Sequence, residues 1–210
     1  MPTTGKVSGI IANLVMVDAD GPVSQNEICM INHAGTELMA EVIKIAGNTA
    51  YVQVFESTRG LSVGTPVVFL EHMLEVTLGP GMLSRNYDGL QNDLDKLQNI
   101  FLQRGERAYP LDQEKVWEFK PLAASGEAVC PGSWLGEVKE SWISHKIMAP
   151  FNLGDGYRIK SIVPAGGYRI GDTIAVLADN RGSEVSVTMV QQWPVKLTIK
   201  AFKNKIRPFK

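Results

Sequence analysis

Between residues 5 and 76 apolar side chains fall in short runs: Val7 to Val17, Glu27 to Ile31, Leu38 to Ile45, Thr49 to Phe55 and Pro66 to Leu70. The breaks carry turn chemistry at Asp20-Gly21, Ala34-Gly35, Gly47-Asn48, Arg59-Gly60 and Val63-Gly64. Glycine supplies positive φ at low steric cost, so the last two frame a tight Gly-Leu-Ser-Val-Gly corner. Strands recurring this often predict five or six in a small closed barrel, which leaves no edge unpaired.

The period then changes. Leu90, Leu94, Leu97 and Phe101 recur at three- and four-residue spacing on one face, with Asn92, Asp93, Asp95, Lys96 and Gln103 elsewhere. That pattern predicts an amphipathic helix over 88–103, with Asp88 as N-cap, Gly105 as the C-terminal stop and a leucine face packed on its own chain. From Val116 to Val190 short strands return, with turns at Ser125-Gly126, Pro131-Gly132, Gly154-Asp155-Gly156, Pro164 to Gly167, Gly171-Asp172 and Asn180 to Gly182. The expected fold is mainly β, in four parts. These are a barrel over 1–74, a connector over 75–109 that holds the helix, a second barrel- or sandwich-like unit over 110–190, and a lead-in segment over 191–210.

Composition agrees with a folded chain: of 210 residues, 44% are apolar and 20% charged, and 20 Gly and 11 Pro suit many tight turns. The net charge of −1 hides an asymmetry. Residues 196–210 carry six cations (Lys196, Lys200, Lys203, Lys205, Arg207 and Lys210) and no acid, which leaves the rest at −7. An acidic body disfavours a nucleic-acid partner, since phosphate neutralisation supplies most of that affinity. No apolar run approaches the ~20 residues that cross a bilayer, and the stretch after Lys6 lacks a small-residue cleavage site, so cytoplasmic residence without membrane insertion is expected. Cys29 and Cys130 lack metal-like spacing and read as reduced structural thiols.

Three runs are more specific: Leu78 to Gln91 (Leu-Gly-Pro-Gly-Met-Leu-Ser-Arg-Asn-Tyr-Asp-Gly-Leu-Gln), His145 to Pro150 (His-Lys-Ile-Met-Ala-Pro) and Val190 to Lys196 (Val-Gln-Gln-Trp-Pro-Val-Lys). Together they resemble the catalytic A subunits of V-type (vacuolar or archaeal-type) rotary ATPases, from the first strand to the last residue. The resemblance implies an N-terminal barrel closed by Val52 to Val67, then the insertion peculiar to that subunit, the bulge. In the family Trp-Pro-Val leads on to a G-P-F-G-x-G-K-T phosphate loop, whose backbone amides cradle phosphates. No such loop lies within residues 1–210, so no catalytic, cofactor-binding or metal-binding residue is expected here. Mg-ATP would belong to the whole subunit. The partners implied are the B subunit of the ring and, through the bulge, the peripheral stalk.

The remaining candidates are local. Lys146, with Ile159 to Val163 and Gly171-Asp172-Thr173-Ile174, is similar to the modified lysine of biotinyl and lipoyl carriers, which suggests a stand-alone carrier or adaptor as the alternative. The spacing argues against it, because Ala149-Pro150 follows Lys146 by only three residues. His33, His72 and His145 read as surface or edge histidines, and Glu137, Glu140 and Asp155 as solvated carboxylates. Arg85 and Asp88 read as a local pair, Gly79-Pro80-Gly81 as a rigid turn, and Gly5-Lys6 as no phosphate loop. The tail from Lys196 reads as a connecting strand.

Overall fold

The computed structural model describes residues 2–96 and 104–198. Six strands, β1 (Thr4–Ile11), β2 (Leu14–Ala19), β3 (Glu27–His33), β4 (Thr36–Ala46), β5 (Thr49–Val54) and β6 (Pro66–Met73), close into a barrel in the order β1-β2-β5-β4-β3-β6, every neighbour antiparallel. Alternate residues of the predicted runs fill the barrel. Val15 and Val17, Cys29 and Ile31, Leu38, Ala40 and Val42, Ala50, Val52 and Val54, and Val67 and Phe69 all point inward. Gly60 and Gly64 take φ of 83° and 90°, as the corner requires. Cys29 and Cys130 are free thiols, and burial, with the charge of Glu27, pushes Cys29 up to about 12.

Closing six strands demands local extra curvature, which β-bulges supply. Registers shift between Val7 and Gly9, between Val42 and Lys44, and between Glu27 and Cys29. The last is held by a buried carboxylate. Glu27 Oε1 accepts from the Glu71 amide and Oε2 from the Ser24 amide, both at 2.8 Å. Glu71 itself has φ 60°, so the bulge bends β6 where an amide would otherwise go unpaired.

The described residues of the second unit are 77–95, 109–193 and 197–198. One four-stranded sheet runs β11-β10-β8-β13, built from β8 (Val116–Pro121), β10 (Trp134–Glu140), β11 (Ile143–Met148) and β13 (Gly166–Arg169). The other runs β15-β14-β12-β9, from β9 (Ala128–Val129), β12 (Tyr157–Ile162), β14 (Ala175–Ala178) and β15 (Glu184–Val187). Trp117, Phe119, Val138 and Ile147 share a core with Ile170, Ile174 and Met189, and Val129, Leu135, Ile159, Leu177 and Val187 form another. Finally, β7 (Glu75–Leu78) and β16 (Gln191–Pro194) form a two-stranded ladder.

No α-helix occurs among the described residues, and the connector departs from the expected helix. Residues 97–103, which include Leu97 and Phe101, lie outside the described residues. Before them, Asp88 closes a loop instead of capping a helix. Its Oδ1 accepts from the amides of Leu90 and Asn92 and its Oδ2 from Asn92 Nδ2, while Gln91 takes φ 62° and Tyr87 bridges to Asp93. Aspartate competes well for nearby amides, and a left-handed residue stops helix propagation. Among the described residues of the connector only Leu94–Lys96 is helical, as 3-10 helix.

Gly136 lies so close to Phe119 that a Cβ would overlap its ring and approach the Lys120 carbonyl oxygen at 2.8 Å, whereas Gly89 has open space and no positive φ. Gly136→Ala is therefore expected to cost about 1–3 kcal/mol, with Gly89→Ala near neutral, as read by urea unfolding.

Candidate functional site

The three runs that stand apart in the sequence meet around β7 and β16. In the second unit, Gln91 Oε1 accepts from the Thr77 amide at 2.7 Å and its Nε2 donates to the Thr77 carbonyl at 2.8 Å. A side-chain amide thus takes the place of a neighbouring strand. Gln191 repeats the device on the end of the His145 to Pro150 run: Nε2 donates to the Met148 carbonyl at 3.0 Å and Oε1 accepts from the Phe151 amide at 3.3 Å. Gln192 Oε1 accepts from Thr77 Oγ1 at 3.1 Å, and Trp193 meets Phe151 edge to face at 5.5 Å. Gly79 is needed for contact, since a Cβ there would sit 3.1 Å from the Met189 carbonyl oxygen and 3.2 Å from Leu111.

Glu140 corrects the expectation of a solvated carboxylate. It ends β10, is 4% exposed, and accepts from the amides of Gly81 (2.7 Å) and Leu83 (3.1 Å) through Oε1 and meets His145 Nδ1 (2.8 Å) through Oε2. A two-residue turn, Ser141-Trp142, brings Glu140 and His145 onto the same inner face of the hairpin. His145 is therefore paired, against the reading of it as an unassociated edge histidine. Arg85 pairs with Asp93 at 3.3 Å rather than with Asp88, whose oxygens are taken by Leu90 and Asn92. His33 ends β3, His72 Nδ1 lies 2.8 Å from the Met73 carbonyl oxygen, and Asp155 lies exposed in a turn.

Lys146 stands fourth in β11, directly opposite Glu137, with Lys120 opposite Glu137 on the other side. Its ammonium pairs with Glu137 and lies 5.1 Å from the Trp134 ring centroid. A carrier lysine needs a free position at a hairpin tip, and here the tip is Ser141-Trp142. The Lys146 and Ser144 hydrogen bonds hold the Glu137 carboxyl down to about 2. Of the tail, Lys196 pairs with Glu41 and donates to Asn26 Oδ1 at 3.1 Å, and residues 199–210 lie outside the described residues. Among the described residues no three His, Cys, Asp or Glu side chains gather as metal ligands, and no helix is long and apolar enough to cross a membrane.

This arrangement is a junction of strand ends and turns, and comparison with known proteins says to what it belongs. The family model for the ATP synthase alpha/beta family β-barrel domain matches residues 7–71, and that for the ATP synthase alpha/beta subunit barrel-sandwich domain matches residues 108–196. The chain belongs to the ATP synthase alpha/beta family. Within this family it is 45% identical over 99% of its length to the V-type ATP synthase alpha chain of Borrelia garinii subsp. bavariensis. It is 44% identical over 99% to those of Borreliella burgdorferi and Borrelia hermsii. It spans about 37% of the length of the first two and 36% of the third. The family resemblance read from Trp-Pro-Val, Leu-Gly-Pro-Gly and His-Lys-Ile-Met-Ala-Pro thus holds, and the carrier alternative is not favoured.

Two outcomes test the junction. Gln91→Glu replaces a donor with a carboxylate oxygen facing the Thr77 carbonyl, and is expected to cost about 1–3 kcal/mol and speed exchange of the Thr77 amide; unchanged unfolding and exchange would refute the bidentate role. For Glu137, folding lowers the carboxyl from 4.5 to about 2, so it favours the ionised form. Its stabilising contribution is complete above about 4.5 and disappears as pH falls through about 2. NMR titration should place its midpoint near 2, and Lys146→Met should raise it; a midpoint near 4.5 in the unaltered protein would contradict the pairing.

Proposed function

We propose that this chain is the N-terminal part of the catalytic A subunit of a V-type ATP synthase. In that role the whole subunit couples ATP hydrolysis or synthesis to proton or sodium-ion transport by rotation. The carrying observation is the identity of 44–45% over 99% of the chain to proteins called V-type ATP synthase alpha chain. The closed barrel and the two-sheet second unit support the same reading.

Phosphoryl transfer needs a phosphate cradle, groups that hold Mg²⁺ and a residue that positions the nucleophile. Residues 1–210 contain no G-x-x-x-x-G-K-T run, so Mg-ATP falls to the rest of the subunit and this part is catalytically silent. Its own work is contact: the barrel, beside the barrel of the B subunit in the ring, and the second unit, with the peripheral stalk. Its place is cytoplasmic and peripheral to the membrane. A reading of residues 1–210 as a carrier or adaptor is weakened by Lys146, which is engaged by Glu137 and set mid-strand.

Calorimetric titration of the 210-residue chain with Mg-ATP is expected to show no saturable heat, while the full-length subunit assembled with its ring partner hydrolyses ATP. Micromolar binding by the 210-residue chain would overturn the division of labour. An assembled full-length ring without ATPase activity would overturn the assignment of function.

A further inference from the structure

The β10–β11 hairpin ends in the most exposed large apolar side chain of the described residues, Trp142, at 79% exposure, next to Ile143 at 40%. Ser141 takes φ 53° to make the turn. At the other end of the same hairpin stands Trp134, 58% exposed. Lone exposed hydrophobics are ordinary, but tryptophan is rarely left in water and is the residue most enriched at binding hot spots. Trp142 also overhangs a groove of about 350 Å³, shared with Val138, Ile143, Lys139, Lys120 and Glu118.

The charge around this groove differs from that of the described residues of its unit. Residues 77–95 and 109–193 hold thirteen acidic and nine basic side chains, a net −4. Around the groove the balance reverses. Lys146 and Lys120 flank Glu137 on neighbouring strands, and Lys139 adds a third ammonium in β10, against Glu137 and Glu118. Glu137 is engaged by Lys146 and Lys120, the latter at 3.7 Å, whereas Lys139 forms no ion pair among the described residues. The face therefore presents tryptophans at its two ends and surplus ammonium between them. The seven residues of β10 cover roughly 20 Å, about the length of a helical stretch of 13 residues at 1.5 Å per residue.

We infer that the outer face of the β10–β11 hairpin docks an acidic helical segment of a partner protein, with Trp142 as its anchor. This rests on the reading of the second unit as the part that meets the peripheral stalk, and it names the surface and the partner's chemistry. An amphipathic helix rich in Asp and Glu would set an apolar side chain beside Trp142 and carboxylates against Lys120 and Lys139, where charge complementarity selects the partner and fixes register.

The test uses the full-length subunit in its assembled complex, with the photocrosslinker p-benzoylphenylalanine placed at position 142 or, for comparison, at 181. Arg181 lies in an exposed turn after β14, in the other sheet of the same unit. Crosslinks from 142 are expected on an acidic helical stretch of a stalk subunit. Lys120→Glu together with Lys139→Glu should reduce their yield on the order of tenfold, as about 1.4 kcal/mol of binding would. Crosslinks to the stalk from 181 but not 142 would overturn the docking surface and leave the stalk reading standing. If neither position reaches a stalk that is bound in the complex, both fail. Crosslinks from 142 to a ring subunit or to lipid, or a yield indifferent to the charge reversals, would also overturn the proposal.

Discussion

A strand at the end of a ladder leaves amides and carbonyls that must find partners, and at β7 and at the close of β11 this chain satisfies them with glutamine. Gln91 and Gln191 each offer one donor and one acceptor at the end of a flexible stem, the same pair that a peptide group offers. That substitution lets a loop, 86–94, do what would otherwise require another strand. It also explains why runs distant in sequence are rich in specific residues: Gln91, Thr77, Gln192, Gln191, Phe151 and Trp193 are linked in one set of contacts.

The same economy recurs with carboxylates. Glu140 takes two amides of the Gly79-Pro80-Gly81 turn region, and Glu27 takes two in the barrel. A hydrogen bond to an ionised group is stronger than one between neutral groups, so one buried acid holds a turn that glycine alone would leave loose. Gly81, with φ 102°, bends the chain, and Glu140 keeps it bent. These contacts fix turns and strand ends where the ladders stop.

The barrel was legible because short apolar runs are broken by turn residues such as Asp20-Gly21 and Gly47-Asn48; within the runs Val15, Val17, Val52 and Val54 then face inward. The second unit was legible from its turns. The helix over 88–103 was misread in its first part because Leu90 and Leu94 satisfy a helical spacing, whereas the decisive groups were Asp88, which captures amides, and Gln91, whose side chain was needed elsewhere. Glu140 and His145 were missed as a pair since their meeting depends on a two-residue turn between β10 and β11. The spacing Glu-x-x-x-x-His around Ser-Trp held that signal, but only once both strands are known to form a hairpin. Arg85 was assigned the wrong acid for the same reason: the loop folds Asp93, not Asp88, back toward it.

Glu27 has a consequence for how the barrel finds its pairing. In a strand, a slip of one residue turns every side chain to the opposite face. Were β3 to slip against β6, Glu27 would leave the Glu71 amide, which would lose its buried partner, while Cys29 and Ile31 would turn toward water. The carboxylate thus acts as a proofreader of register: one alignment gives the Glu71 amide a charged acceptor, and its neighbours leave that amide without one.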